Sequence, residues 1–175
     1  TFMEGAVLFS IFGYFKGFNA RGHNKIPHFV SGIDASAKDE NFHSMASATL
    51  FNQCRQERIE AGNHTKRMDS ALNKKIREMA RMVYEHELQI IDRLFEKGDT
   101  EVISKKELIE FLEDRINICL GRLGQPAMFD HPSGEISTWF YAQLSKVKIP
   151  DFFAATQVQY TKNWAKHKLT FRGTN

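Results

Sequence analysis

The stretch Lys38-Asp39-Glu40-Asn41-Phe42-His43 decides how the rest of the chain is read. Glu40 and His43 are three residues apart, so on a helix they share one face. Asp39 is four before His43 and can lie at the edge of the same face. A carboxylate can bridge two cations, and an imidazole nitrogen can bind one. The same spacing also suits a solvated surface pair, so the segment around it must argue for helix and for burial. Small residues flank it at Ala35, Ser36, Ala37, Ser44, Ala46, Ser47 and Ala48, which lets neighbouring helices approach closely. Phe42, Met45, Leu50 and Phe51 recur at roughly helical spacing. The pattern predicts a helix over about Ile33 to Arg58.

Working outward, Asn19 to Gly32 carries Gly22, Pro27 and Gly32 and reads as a connector. Before it, about Phe2 to Phe18 is apolar on all sides, which predicts a helix buried on most faces. Glu4 is a charge in that apolar helix. Burying a carboxylate alone is costly, and a bound metal would compensate it. A place in the first turn, where the helix dipole favours a carboxylate, is the alternative. Leu8 and Phe12 fall on the face of Glu4 and would make a dry wall beside a metal. The chain opens Thr1-Phe2-Met3-Glu4 almost inside this pattern, which suggests a piece of a longer protein.

Downstream, Ala61-Gly62-Asn63 is a stop signal. A helix follows from about Thr65 to Glu96, striped by Ile76, Met79, Ala80, Val83, Ile90 and Leu94 and ended by Gly98. Glu87 within it reads as the partner of a nearby Arg or Lys. Ser104-Lys105-Lys106-Glu107 fits a capping box and opens the next helix, with Leu108, Phe111, Leu112, Ile116 and Leu120 as its core face. Gly121 and Gly124 mark its end. A short helix is expected from about Glu135 to Leu144. No alternating run or hairpin signal predicts a sheet, so the class is all-α, a bundle of long helices.

Composition narrows the function classes. The chain has 175 residues, 42 % of them hydrophobic, including 15 phenylalanines, with a net charge of +3. That supports one domain with a real core. The basic residues form no block, which argues against a nucleic-acid surface. No apolar run reaches membrane-spanning length, and the start lacks a secretory leader. Cys54 and Cys119 form no metal-binding pair and fit two free, buried thiols in a reducing cytoplasm. The remaining histidines share no ligand spacing.

Glu-x-x-His is how ferritin-like two-metal bundles present a carboxylate and an imidazole to one metal pair. The order Glu4, then Asp39-Glu40-Asn41-Phe42-His43, then Asn117-Ile118-Cys119-Leu120-Gly121-Arg122-Leu123-Gly124 resembles the second half of the small subunit of class I ribonucleotide reductase. Pro132 with Trp139-Phe140, and Asp151-Phe152-Phe153 with Tyr160, are similar to the family's following segments. The resemblance covers roughly residues 2–160. It implies a partial ferritin-like helical bundle over residues 1–160, a tail over 161–175 and a cytoplasmic protein. It also implies two iron ions, or manganese, with Glu4, Glu40 and His43 as ligands. Glu4 and His43 would share one ion, Glu40 would lie between the two, and Asp39 would be a carboxylate on the radical-transfer path. The implied activity is generation of a radical passed to a large subunit that makes deoxyribonucleotides. The implied partners are that large subunit, a second copy in a homodimer, and the missing N-terminal half of the same subunit.

The sequence departs from the family pattern too. A second Glu-x-x-His, a further Asp and the radical-bearing tyrosine belong to the family's first half and are not found. Neither Tyr14 nor Tyr84 stands where that tyrosine should. After Tyr160 the chain holds Lys162, Lys166, Lys168 and Arg172, so it is basic where the family's docking tail is usually acidic. Two other readings stay open: another ferritin-like oxidase or oxygenase, and a metal-free helical interaction module. In the second, Glu4, Glu40 and His43 would point apart.

Overall fold

The structure, a computed structural model, describes residues 1–130 and 134–146. Pro132, the Asp151-Phe152-Phe153 stretch, Tyr160, Trp164 and the basic tail lie outside the described residues. A π turn, Met3–Val7, leads directly into α1, Leu8–Gly17. After a short 3-10 turn, Ala20–Gly22, come α2, Pro27–Glu60, and α3, Lys66–Leu94. The last elements are α4, Lys105–Arg122, and α5, Glu135–Lys146. No strand occurs among the described residues.

Local chemistry sets most of these boundaries. Thr65 caps α3 by accepting a hydrogen bond from the Met68 amide. Ser104 and Glu107 form the reciprocal capping box expected at the start of α4. Gly124 follows the end of α4 at φ +68°, the left-handed conformation that closes a helix. One boundary departs from the sequence reading. α2 starts at Pro27, not Ile33, and so absorbs the end of the expected connector. Proline suits a first helical turn, where its missing N–H has no intrahelical partner to lose.

α4 is the hub of the fold. It packs against the π turn and against α1, α2, α3 and α5. Leu108, Phe111, Leu112, Ile116 and Leu120 are fully buried, as their spacing predicts. Phe111 meets Phe140 at 4.9 Å, and Phe140 meets Phe9 at 5.5 Å, so three helices share one aromatic core. Lys16 is buried as well, ion-paired with Asp34 of α2 and lying 4.9 Å from the Phe140 ring centre. Paired in this way, its charge does not oppose the packing.

α2 is buried largely along small residues, at which the sequence predicted close approach of neighbouring helices. Its buried stripe is Val30, Ile33, Ala37, Ser44 and Ala48. Phe42, Met45 and Leu50 are exposed. Close helix approach needs small side chains, so the larger residues turn outward. Similarly on α3, Ile76, Ala80, Glu87 and Ile91 are buried, whereas Met79 and Leu94 are exposed.

The α2–α3 junction is polar. Arg55 donates to both carboxylate oxygens of Asp69 at 2.7 Å, and His64 Nε2 lies 2.9 Å from the same group. The Arg55 hydrogen bond, then that of His64, hold the Asp69 carboxyl down from 3.8 to about 2. A folded value below the unfolded one means stability that is full above the unfolded pKa and is lost as pH falls through the folded pKa. The acid sensitivity of the wild type between about pH 4 and 2 should therefore be reduced in Asp69→Asn. Melting temperatures across that range check this; parallel curves for the two proteins would contradict it.

Candidate metal centre

The structure brings Glu4, Glu40 and His43 together: one ligand atom from each lies within 4.8 Å of the others. Glu4 comes from the π turn, and Glu40 and His43 come from one face of α2. Both glutamates are half-buried, and His43 is exposed. His43 Nδ1 stands 3.4 Å from a Glu40 oxygen, the expected consequence of the i, i+3 spacing. Asp39 is exposed on α2 and is not a member of this group. Leu8 and Phe12 are half-buried, so the dry wall is partial.

The donor chemistry fits a hard or borderline cation. Two carboxylates and one imidazole suit iron or manganese. Donors about 2.1 Å from a shared ion can be at most about 4.2 Å apart. Closing the group onto one ion therefore needs less than about an ångström of side-chain movement.

A network from α4 and α2 backs the group. Gly5 follows Glu4 and sits so close to its neighbours that a Cβ there would lie 2.4 Å from Ser44 Oγ and 2.5 Å from Cys119 Sγ. Ser44 Oγ donates to the Thr1 carbonyl and accepts from Arg122 Nη1. Arg122 Nη2 donates to Asn41 Oδ1 at 2.7 Å, beside Glu40 in sequence. Burial, then the neighbouring Arg115 charge, pulls the Arg122 guanidinium below its ordinary pKa. Arg115 is itself buried, and its Nε donates to the Gly5 carbonyl at 2.7 Å. Neither arginine took a role from the sequence, and Arg122 entered only within the late-helix motif. The available signal was Arg115 standing at a buried position between Leu112 and Ile116.

Other residues take structural roles. Glu87 is fully buried, but His86 Nδ1, at 3.2 Å, is its contact, in place of the expected Arg or Lys. Tyr84 donates to Glu113 at 2.6 Å between α3 and α4, and Tyr14 packs edge-on against Phe95. Cys119 is buried, and that burial raises its thiol pKa. Cys54 is exposed, which corrects the expectation that both thiols are inside. Trp139 is half-buried against the core. No helix among the described residues is long and apolar enough to cross a membrane.

A family model described as ribonucleotide reductase, small chain, matches residues 1–135, and the chain belongs to that family. No curated protein matches the chain. Members of the family serve ribonucleotide reduction, generally hold a di-iron or di-manganese centre, and generally pair with a large subunit and form dimers.

Proposed function

We propose, from the premise that this chain belongs to the ribonucleotide reductase small-chain family, that it is the C-terminal half of a radical-generating subunit. Glu4, Glu40 and His43 would then hold part of a two-metal centre. The observation that carries this reading is the convergence of the three side chains from two separate helical elements. It also argues against a metal-free interaction module, in which they would diverge.

When bound, the metal pair supplies the oxidising power from which the radical derives. The chain's own residues bind and orient. Glu4 and Glu40 offset the charge of the cations, and His43 contributes a neutral donor. Asp39, exposed one position before Glu40, would hold a ligand histidine in place and serve the radical path. The bundle recipe calls for a second Glu-x-x-His and a further lone carboxylate. We assign these to the N-terminal half of the same subunit. Exposed Phe42, Met45 and Leu50, on the helix that carries Glu40 and His43, give that half an apolar surface to cover. Residues 1–160 belong to this domain and 161–175 to a tail, in a cytoplasmic homodimer that docks on the large subunit.

Nucleoside diphosphate reduction by the full-length protein with its large subunit tests the reading. Glu40→Ala should lower turnover beyond the roughly 10–100-fold typical of groups that merely support ligands. Oxygen consumption that needs Glu40 but is indifferent to any large subunit would point instead to a free-standing oxidase or oxygenase.

A further inference from the structure

Nothing in the composition of Met3–Val7 demands a π turn, yet the helix that carries Glu4 opens with one, closed by the Leu8 amide on the Met3 carbonyl. A π turn inserts one residue into the helical ladder. Across it the ladder is rotated by roughly 100° relative to a continuous α-helix, and Glu4 lies inside it. The direction of the Glu4 side chain therefore depends on the turn being held.

Arg115 grips the turn from α4. Its Nε donates to the Gly5 carbonyl at 2.7 Å, and its guanidinium lies 3.7 Å from the ring centre of Phe9, just beyond the turn. One buried side chain thus touches the backbone inside the turn and the first full turn of α1 after it. Gly5 also sits flush against Ser44 of α2 and Cys119, one turn after Arg115 on α4, with no room for a Cβ. Keeping a guanidinium buried is costly, and its Nη2 has no hydrogen-bond partner among the described residues. The Gly5 carbonyl gives that charge a function.

We infer that Arg115 is a positioning residue for the metal centre: its Nε hydrogen bond fixes the π turn, and the turn aims Glu4 at Glu40 and His43. This rests on the reading of those three residues as ligands. Two substitutions separate the hydrogen bond from the charge. Gln places an amide nitrogen where the Arg Nε stands, whereas Met places a methyl carbon there. Both remove the cation over Phe9.

The test is Mn2+ affinity of the full-length protein, with hydrogen exchange of the Gly5–Leu8 amides measured on the metal-free form. Arg115→Met should weaken Mn2+ binding about 10-fold or more and speed exchange in the turn. Arg115→Gln should stay near wild type in both. Equal losses in the two variants, or unchanged affinity in a folded Arg115→Met protein, would overturn the inference. If Arg115→Met does not fold, Gly5→Ala displaces the same turn through its contacts with Ser44 and Cys119, and undiminished Mn2+ affinity there would overturn it as well. If wild type and Glu40→Ala bind Mn2+ equally poorly while exchange still separates Met from Gln, the clamp is real. The ligand reading then fails, and the positioning role fails with it.

Discussion

Phe111→Ala should lower the free energy of unfolding by about 3–5 kcal/mol. The ring is fully buried on α4, which packs against α1, α2, α3 and α5. It stacks at 4.9 Å on Phe140 of α5 and fills the space beside Gly13 of α1, where a Cβ would stand 2.6 Å from its ring carbons. Truncation opens a cavity between three helices, and the aromatic neighbours cannot all collapse into it. Natural domains are stable by only about 5–15 kcal/mol, so this single change removes a large share. Urea unfolding of the full-length protein measures it. A loss below about 1 kcal/mol would mean that the core is plastic where the packing says it is not. Gly13→Ala approaches the same contact by overpacking, for which the usual cost is about 1–3 kcal/mol.

The helices were legible because their signals are local. The capping box at Ser104 and Glu107 and the glycine after α4 depend on a few adjacent residues, and the structure reproduces them. The buried face of α4 was legible for a similar reason: its large apolar residues repeat at helical spacing without interruption. α2 was harder. Its burial follows the small residues Ala37, Ser44 and Ala48, and size complementarity between helices is a tertiary property. Phe42 and Met45 recur at helical spacing, but that period alone does not say which face is buried.

The candidate site divides along the same line. Glu40 and His43 declare themselves by spacing on one helix. Glu4 was visible as a charge in an apolar segment, but its convergence on α2 depends on a π turn that spacing does not announce. The supports from Arg115 and Arg122 join residues distant in sequence, Arg115 to Gly5 and Arg122 to Ser44 and Asn41. Only the packed fold brings those pairs within hydrogen-bonding distance. Asp39 remains where the helix puts it, exposed and outside the trio.

The largest functional effect should come from removing two of the three proposed ligands. Glu40→Ala with His43→Ala deletes a carboxylate and the imidazole from the group while leaving the buried stripe of α2 untouched. The variant should fold, because neither side chain belongs to that stripe. The remaining Glu4 offers a single carboxylate, too few donors from this chain to keep an ion in place. Metal content of this chain joined to the N-terminal half of its subunit is the decisive measurement. The account predicts about two iron or manganese ions per subunit, lost in the double variant with its helical signal intact. A well-folded wild type with no stoichiometric metal, or a double variant that keeps its ions, would contradict the assignment of Glu4, Glu40 and His43.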